Sequence, residues 1–160
     1  MSDWGVIAVL GVLLLAVFLW LRRWPRISPA PSRQQIVVDG TNVMFWKDES
    51  AQISTLNTVL KRLRHEGYDP VVFLDASSRH HVGDKSLNAR KFGEVLGLAA
   101  DHLTVVPART EADAQLLDYA RQNRLAVVSN DRFRDRAREA RNIRLVKGHF
   151  RGNRLVLNNL

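Results

Sequence analysis

The chain has 160 residues, 24 Lys+Arg against 16 Asp+Glu, a formal net charge of +8 and no cysteine. That length holds one ordinary domain but not two full ones. Without cysteine there is no disulfide framework, Cys-ligated zinc, iron–sulfur cluster or thiol nucleophile. The surplus of cations points to a polyanionic partner, nucleic acid or an anionic membrane surface, or else to a basic solubilising surface.

Residues 4–21 read WGVIAVLGVLLLAVFLWL and carry no charge. A helix of that length spans roughly 27 Å, close to a bilayer's hydrocarbon thickness. Trp4, Trp20 and Trp24 lie at its two ends, and Arg22, Arg23 and Arg26 follow it. The segment is predicted to be one transmembrane helix. The arginines place the N-terminus outside and the rest of the chain in the cytoplasm, a single-pass cell-membrane protein. A cleaved signal peptide fits less well, because the N-terminal flank is not positive and no small-x-small cleavage site is evident. Gly5 and Gly11 lack GxxxG spacing, so the sequence supplies no dimer motif and homo-oligomerisation stays open. Residues 22–34 are basic and proline-rich, a linker. A domain over residues 35–160 follows. From Ser32 onward 21 Lys+Arg face 15 Asp+Glu, so the domain itself is basic.

Within the domain, apolar runs alternate with helical periodicity. Ile36–Val38 is a strand ending in Asp39-Gly40. Ile53–His65 is a helix through Ile53, Leu56, Leu60 and Leu63, stopped at Gly67. Val71–Leu74 is a strand ending in Asp75, and Lys85–Leu98 is a helix. Leu103–Val106 is a strand, Glu111–Gln122 a helix, Leu125–Val128 a strand, Asp131–Ala140 a helix and Ile143–Val146 a strand. Phe150 to Leu157 form a terminal hairpin around Gly152. Continuously apolar strands alternating with helices predict an α/β domain, a mostly parallel central sheet covered on both faces. In such sheets the functional residues sit beyond the carboxyl ends of the strands.

Asp39, Asp75, Asp113, Asp131 and Asp135 all fall at or just beyond those ends. Gathered carboxylates repel one another and need compensation; an all-oxygen set without His or Cys suits Mg²⁺ or Mn²⁺. Each residue also has a plainer reading. Asp39 fits a hairpin turn, Asp113 a capping box with Thr110, and Asp131 a helix N-cap. Asp135 fits an ion pair with Arg132 or Arg138, Asp75 a strand-end turn and Asn42 a turn. Nine Lys+Arg against two acids lie between Arg132 and Arg154. Arg132 and Arg134 adjoin Asp131, where they can meet phosphate. Trp46, beside Lys47, is the first candidate for stacking on a base, whereas Phe45 reads as core. His80-His81 reads as a loop at the substrate's edge. Nucleotide-binding glycine loops are absent, and Ser129 has no partnered histidine.

The strings are more specific than the single residues. Ile36-Val37-Val38-Asp39-Gly40-Thr41-Asn42-Val43 resembles the opening motif of the PIN-like NYN ribonucleases, especially the Zc3h12a-like group. Ala112-Asp113-Ala114-Gln115-Leu116-Leu117 and then Val127-Val128-Ser129-Asn130-Asp131-Arg132-Phe133-Arg134-Asp135 are similar to that group's second half. The resemblance covers most of residues 35–146. It implies a three-layer, PIN-like (Rossmann-like) domain that cleaves RNA with a bound metal. Asp39, Asp113 and Asp131 would then be the metal ligands for Mg²⁺ or Mn²⁺, and Asn42 and Asp135 would support catalysis. Trp46, Lys47, Arg132 and Arg134 would bind nucleic acid, and products would carry 5′-phosphate and 3′-hydroxyl ends. The chain departs from some family members at Ala112, where they pair a second aspartate with the first; Glu111 is the nearest substitute and points elsewhere on a helix. That departure leaves open a non-catalytic, membrane-tethered RNA-binding module. A DNA-directed nuclease on the same fold is the other alternative. The expected partners are RNA and, through residues 4–21, a lipid bilayer.

Overall fold

The computed structural model describes residues 33–160, a unit that carries two hydrophobic cores of its own, one on each face of a sheet. The expected transmembrane helix and nearly all of the linker lie outside the described residues. Among the described residues no helix is long and apolar enough to cross a membrane.

Six strands form the sheet: β1 (Gln34–Asp39), β2 (Tyr68–Asp75), β3 (Leu103–Val106), β4 (Val127–Val128), β5 (Leu145–Arg151) and β6 (Arg154–Asn158). Their order is β3-β2-β1-β4-β5-β6, parallel through β5 with β6 antiparallel at the edge. The helices are α1 (Gly40–Met44), α2 (Ile53–His65), α3 (Ser78–His81), α4 (Ala89–Leu96) and α5 (Ala112–Gln122). Alternate residues of the central strands feed opposite faces. Ile36, Val38, Val72 and Leu74 join α1, α2 and α4 in one core. Val37, Val71 and Phe73 meet α5 in the other. Burial on both faces is why these strands read as unbroken apolar runs. The three-layer, mostly parallel α/β expectation therefore holds for the described domain.

The chain winds from β1 to β2 and β3 in one direction, and from β4 to β5 in the other. β1 and β4 flank the point where the order reverses. Asp39 ends β1 and Ser129 follows β4, so both sit beyond strand ends at that crevice, the place where such sheets bind ligands.

Local chemistry moved several boundaries. Asn88 accepts from the Lys91 N–H at 3.0 Å and starts α4 there, rather than at Lys85. Gly97, at φ +59°, ends it. Ser78–His81 is a helical turn rather than an extended loop. The helix expected over Asp131–Ala140 does not form. Asp131 Oδ1 accepts the Phe133 N–H at 2.6 Å, Phe133 takes φ +48°, and only a 3₁₀ turn, Arg134–Arg136, follows. The side chain of Asp131 offers the backbone a local bond that competes with helix formation. β5 runs on to Arg151, and Gly152 (φ +59°) takes the first central position of the hairpin turn to β6.

Candidate active site

At the carboxyl edge of the sheet, Asp39, Asp75, Asp113 and Asp131 line one cavity of about 270 Å³, with Thr41, Asn42, Phe45 and Ser77. A second cavity of about 450 Å³ shares Asp75, Ala112, Asp113 and Asp131, and adds Arg134, Asp135 and Arg136. The shared carboxylates form a saddle between two chambers, one walled by Phe45 and the other by arginine.

Asp39 is the anchor of the site. It is 9% exposed, caps α1 by accepting the Asn42 N–H on Oδ1 (3.1 Å), and accepts the Ser129 hydroxyl on Oδ2 (2.8 Å). Ser129 Oγ in turn accepts the Asp131 N–H at 3.0 Å, so one buried hydroxyl ties the first carboxylate to the backbone of another. Burial pushes the Asp39 carboxyl up to about 6, against the pull of those hydrogen bonds and with help from the charges of Asp113 and Asp131. Gly40 is required beside it. A Cβ there would lie 2.6 Å from Leu74 Cδ2 and 3.1 Å from the Phe73 carbonyl oxygen.

Asp113 stands in the first turn of α5. The N-cap is Glu111, which makes no side-chain cap bond, and Thr110 is not recruited into a capping box. The Asp113 carboxyl is raised by desolvation and then by the charges of Asp131 and Asp75. Asp75 is held on both sides: its N–H donates to Thr41 Oγ1 (2.9 Å) and its Oδ1 accepts the Ser77 N–H (2.6 Å). Glu111 pairs with Arg136, which also meets Glu139 at 3.9 Å, so it does not substitute for the missing aspartate at Ala112.

The expected residues are thus distributed unevenly. Asp39, Asn42, Asp113 and Asp131 share the first cavity, joined by Asp75. Asp135 and Arg134 line only the second. The reading of Asp135 as one helical turn from Asp131 is corrected, since no helix connects them. Arg132, Lys47 and Trp46 line neither cavity. Asn42 contributes differently from expectation. Its Oδ1 accepts both Trp46 Nε1 (2.8 Å) and the Asn130 N–H (3.0 Å), lacing the motif after β1 to the motif after β4.

Trp46, the expected stacking residue, is half-buried and packed against the core. Its indole is held by Asn42 and lies over Gly148, where a Cβ would come within 2.8 Å of the ring's Cη2. Phe45, expected in the core, is the exposed ring of the two at 38%. Accordingly, Gly148→Ala is expected to cost about 1–3 kcal/mol by overpacking, read as a lower urea midpoint, and Trp46→Leu is expected to restore part of that loss. Equal losses with and without the indole would contradict this packing.

Sequence reasoning set Ser129 aside as a nucleophile and passed over Thr41 and Asn130. Asn130 clamps Gly148 through both its amide groups (Nδ2 to O, 2.7 Å; N–H to Oδ1, 3.1 Å). The Val-Ser-Asn-Asp string contains the signal, a polar triplet directly after a buried strand.

Among the described residues no three acidic or histidine side chains converge closely enough to ligate one ion directly. The donor set is nevertheless all oxygen and acidic, with mutually repelling carboxyls. It fits a hard cation that keeps most of its water, as Mg²⁺ does when held by one or two carboxylates.

The domain is a Rossmann-like α/β sheet with carboxylates at its switch point and a surplus of positive charge. Residues 32–157 match the Zc3h12a-like ribonuclease NYN domain model, and the chain belongs to that family. The fold is similar to two solved structures of nuclear protein-only RNase P 2 from Arabidopsis thaliana. One has TM-score 0.61 and 18% identity, covering 98% of this chain and 36% of that one. The other has TM-score 0.59 and 20% identity, covering 97% and 36%. The chain thus spans little more than a third of those structures. No curated protein matches it.

Proposed function

We propose that the protein is a membrane-anchored, metal-dependent endoribonuclease that hydrolyses phosphodiester bonds of single-stranded or loop RNA. The observation that carries this reading is the meeting of Asp39, Asp75, Asp113 and Asp131 around one cavity in a domain with surplus positive charge. A module that only bound RNA would gain from losing that negative cluster.

Asp39, Asp113 and Asp131 would hold Mg²⁺ or Mn²⁺, largely through water, with Asp75 lining the same cavity. When bound, the ion supplies Lewis-acid polarisation of the phosphate and a water acidic enough to attack near neutral pH. Ser129 and the Asn42 N–H fix the Asp39 carboxylate, so its oxygens do not reorganise as charge develops. Arg134, which lines the second cavity, would meet a substrate phosphate, while Arg136 is occupied by Glu111 and Glu139. Asp135 orders water at the same chamber. Matched RNA and DNA oligonucleotides with Mg²⁺ or Mn²⁺ test the substrate class. RNA fragments bearing 5′-phosphate and 3′-hydroxyl ends are expected; cutting of DNA alone, or 2′,3′-cyclic ends, would contradict the reading.

The tether rests on sequence: an uncharged stretch over residues 4–21 followed by arginines. A feature of the domain supports it. Gln34, near the chain's entry into the fold, lines a pocket with Arg121, Arg124, Arg141 and Arg144; Arg121 is paired with Asp118 at 2.8 Å, and the other three are cations suited to an anionic bilayer surface. The domain is then cytoplasmic. The full chain is expected to stay in the membrane pellet after alkaline extraction. Its release into the supernatant would overturn the anchor and leave the nuclease untouched.

A further inference from the structure

We infer that Phe45 and His81 form a stacking corner for one unpaired nucleobase, seated beside the scissile phosphate on the side of the saddle away from Arg134. This deepens the ribonuclease reading and rests on it.

Phe45 and Val95 are the exposed large hydrophobic residues among those described, and Phe45 alone of the two lines the carboxylate cavity. Its position is not free. The Phe45 N–H closes α1 by donating to the Asn42 carbonyl at 3.1 Å, and the neighbouring Trp46 is locked over Gly148. Its ring meets His81 at 5.6 Å with the planes 73° apart, an edge-to-face pair. His81 is fixed too: Nε2 lies 3.0 Å from Ser77 Oγ, and the Ser77 N–H donates to Asp75 Oδ1. The aromatic corner is therefore built onto the same turn that orients a carboxylate of the cavity.

Charge explains why a ring belongs there. An RNA strand entering a carboxylate cluster meets repulsion at every phosphate. Arg134 offsets it in one chamber, but the chamber containing Phe45 has no lysine or arginine in its lining. Stacking holds a nucleotide there without any cation, through a face that every base has. A base inside a duplex has both faces covered by its neighbours, so the corner selects unpaired nucleotides. It discriminates little among the four bases, because no side-chain donor or acceptor is needed to read an edge.

The test uses the domain, residues 33–160, with single-stranded RNA carrying one mapped cleavage site, and the same RNA with single abasic nucleotides at each flanking position. Phe45→Ala is expected to raise KM by a factor of roughly 5 to 100 with kcat little changed, and Phe45→Trp to keep wild-type KM. One abasic position is expected to reproduce the same increase in the wild type and to add nothing in Phe45→Ala. The abasic series needs no mutation, so it stands even if a variant folds poorly. Wild-type KM in Phe45→Ala, or an abasic effect of equal size in both proteins, would overturn the stacking corner while leaving the ribonuclease reading intact. A wild-type domain that cuts no RNA would overturn that reading, and the corner with it.

Discussion

Asp39→Asn is expected to abolish RNA cleavage, by at least about 10³-fold, and to leave the domain no less stable at neutral pH. The two halves of this expectation come from one fact. Asp39 is buried yet must be ionised to hold a cation, and burial raises its carboxyl from 3.8 to about 6. Keeping it charged at pH 7 costs the folded domain about 3 kcal/mol, at 1.36 kcal/mol per unit. Asparagine removes that cost. It retains one acceptor for the two donors, Ser129 Oγ and the Asn42 N–H, so about 1 kcal/mol of hydrogen bonding is lost in return. A net gain of about 1–2 kcal/mol follows, measured by urea unfolding at pH 7.5. Such opposition of stability and activity marks a functional residue rather than a structural one. A variant that loses stability and activity together would assign Asp39 to the fold.

The second large effect is on pH. A carboxyl whose folded value lies above its unfolded value contributes stability that is complete below the unfolded value. That contribution is lost as pH rises through the folded one. For Asp39 the window runs from about 4 to about 6, and Asp113, also raised, acts in the same direction. His102, raised by Asp101 at 2.7 Å and Asp69 at 2.8 Å, continues the downward trend above its ordinary value of 6.5. The metal-free domain should therefore lose stability between pH 4 and 7. The difference in Tm between Asp39→Asn and wild type isolates the Asp39 part. It should rise with pH by the equivalent of about 3 kcal/mol between about pH 4 and 6.5, from a small deficit of the variant to the net gain of about 1–2 kcal/mol, and level off above that. Added Mg²⁺ should raise the wild-type Tm on that plateau and much less at pH 5, since binding requires the ionised carboxyl. A difference that does not vary with pH would contradict the assignment.

What was legible in the sequence depended on how local its cause was. β1, β2 and β3 announced themselves because strands buried on both faces leave unbroken apolar runs, and α2 because its buried residues repeat at helical spacing. Four of the site's carboxylates followed from strand-end placement alone. The Asp131–Ala140 segment misled because a single Asp131–Phe133 bond outcompetes a helix that composition favours. Phe45 is more exposed than Trp46, the reverse of expectation, for a distant reason. The place under the indole exists only because Gly148, on another strand, has no side chain. The tie of Ser129 to Asp39 was hidden similarly, since the two are 90 residues apart and only the parallel pairing of β1 with β4 brings them together.

In the proposed reaction these carboxylates cut RNA with a divalent ion. It is tested most directly by giving end-labelled single-stranded RNA to the purified domain with Mg²⁺ or Mn²⁺, beside parallel reactions with EDTA and with Asp39→Asn. Internal cleavage that disappears in both controls is the predicted result. Salt-sensitive binding without cleavage under either metal, or cleavage that survives EDTA, would contradict it.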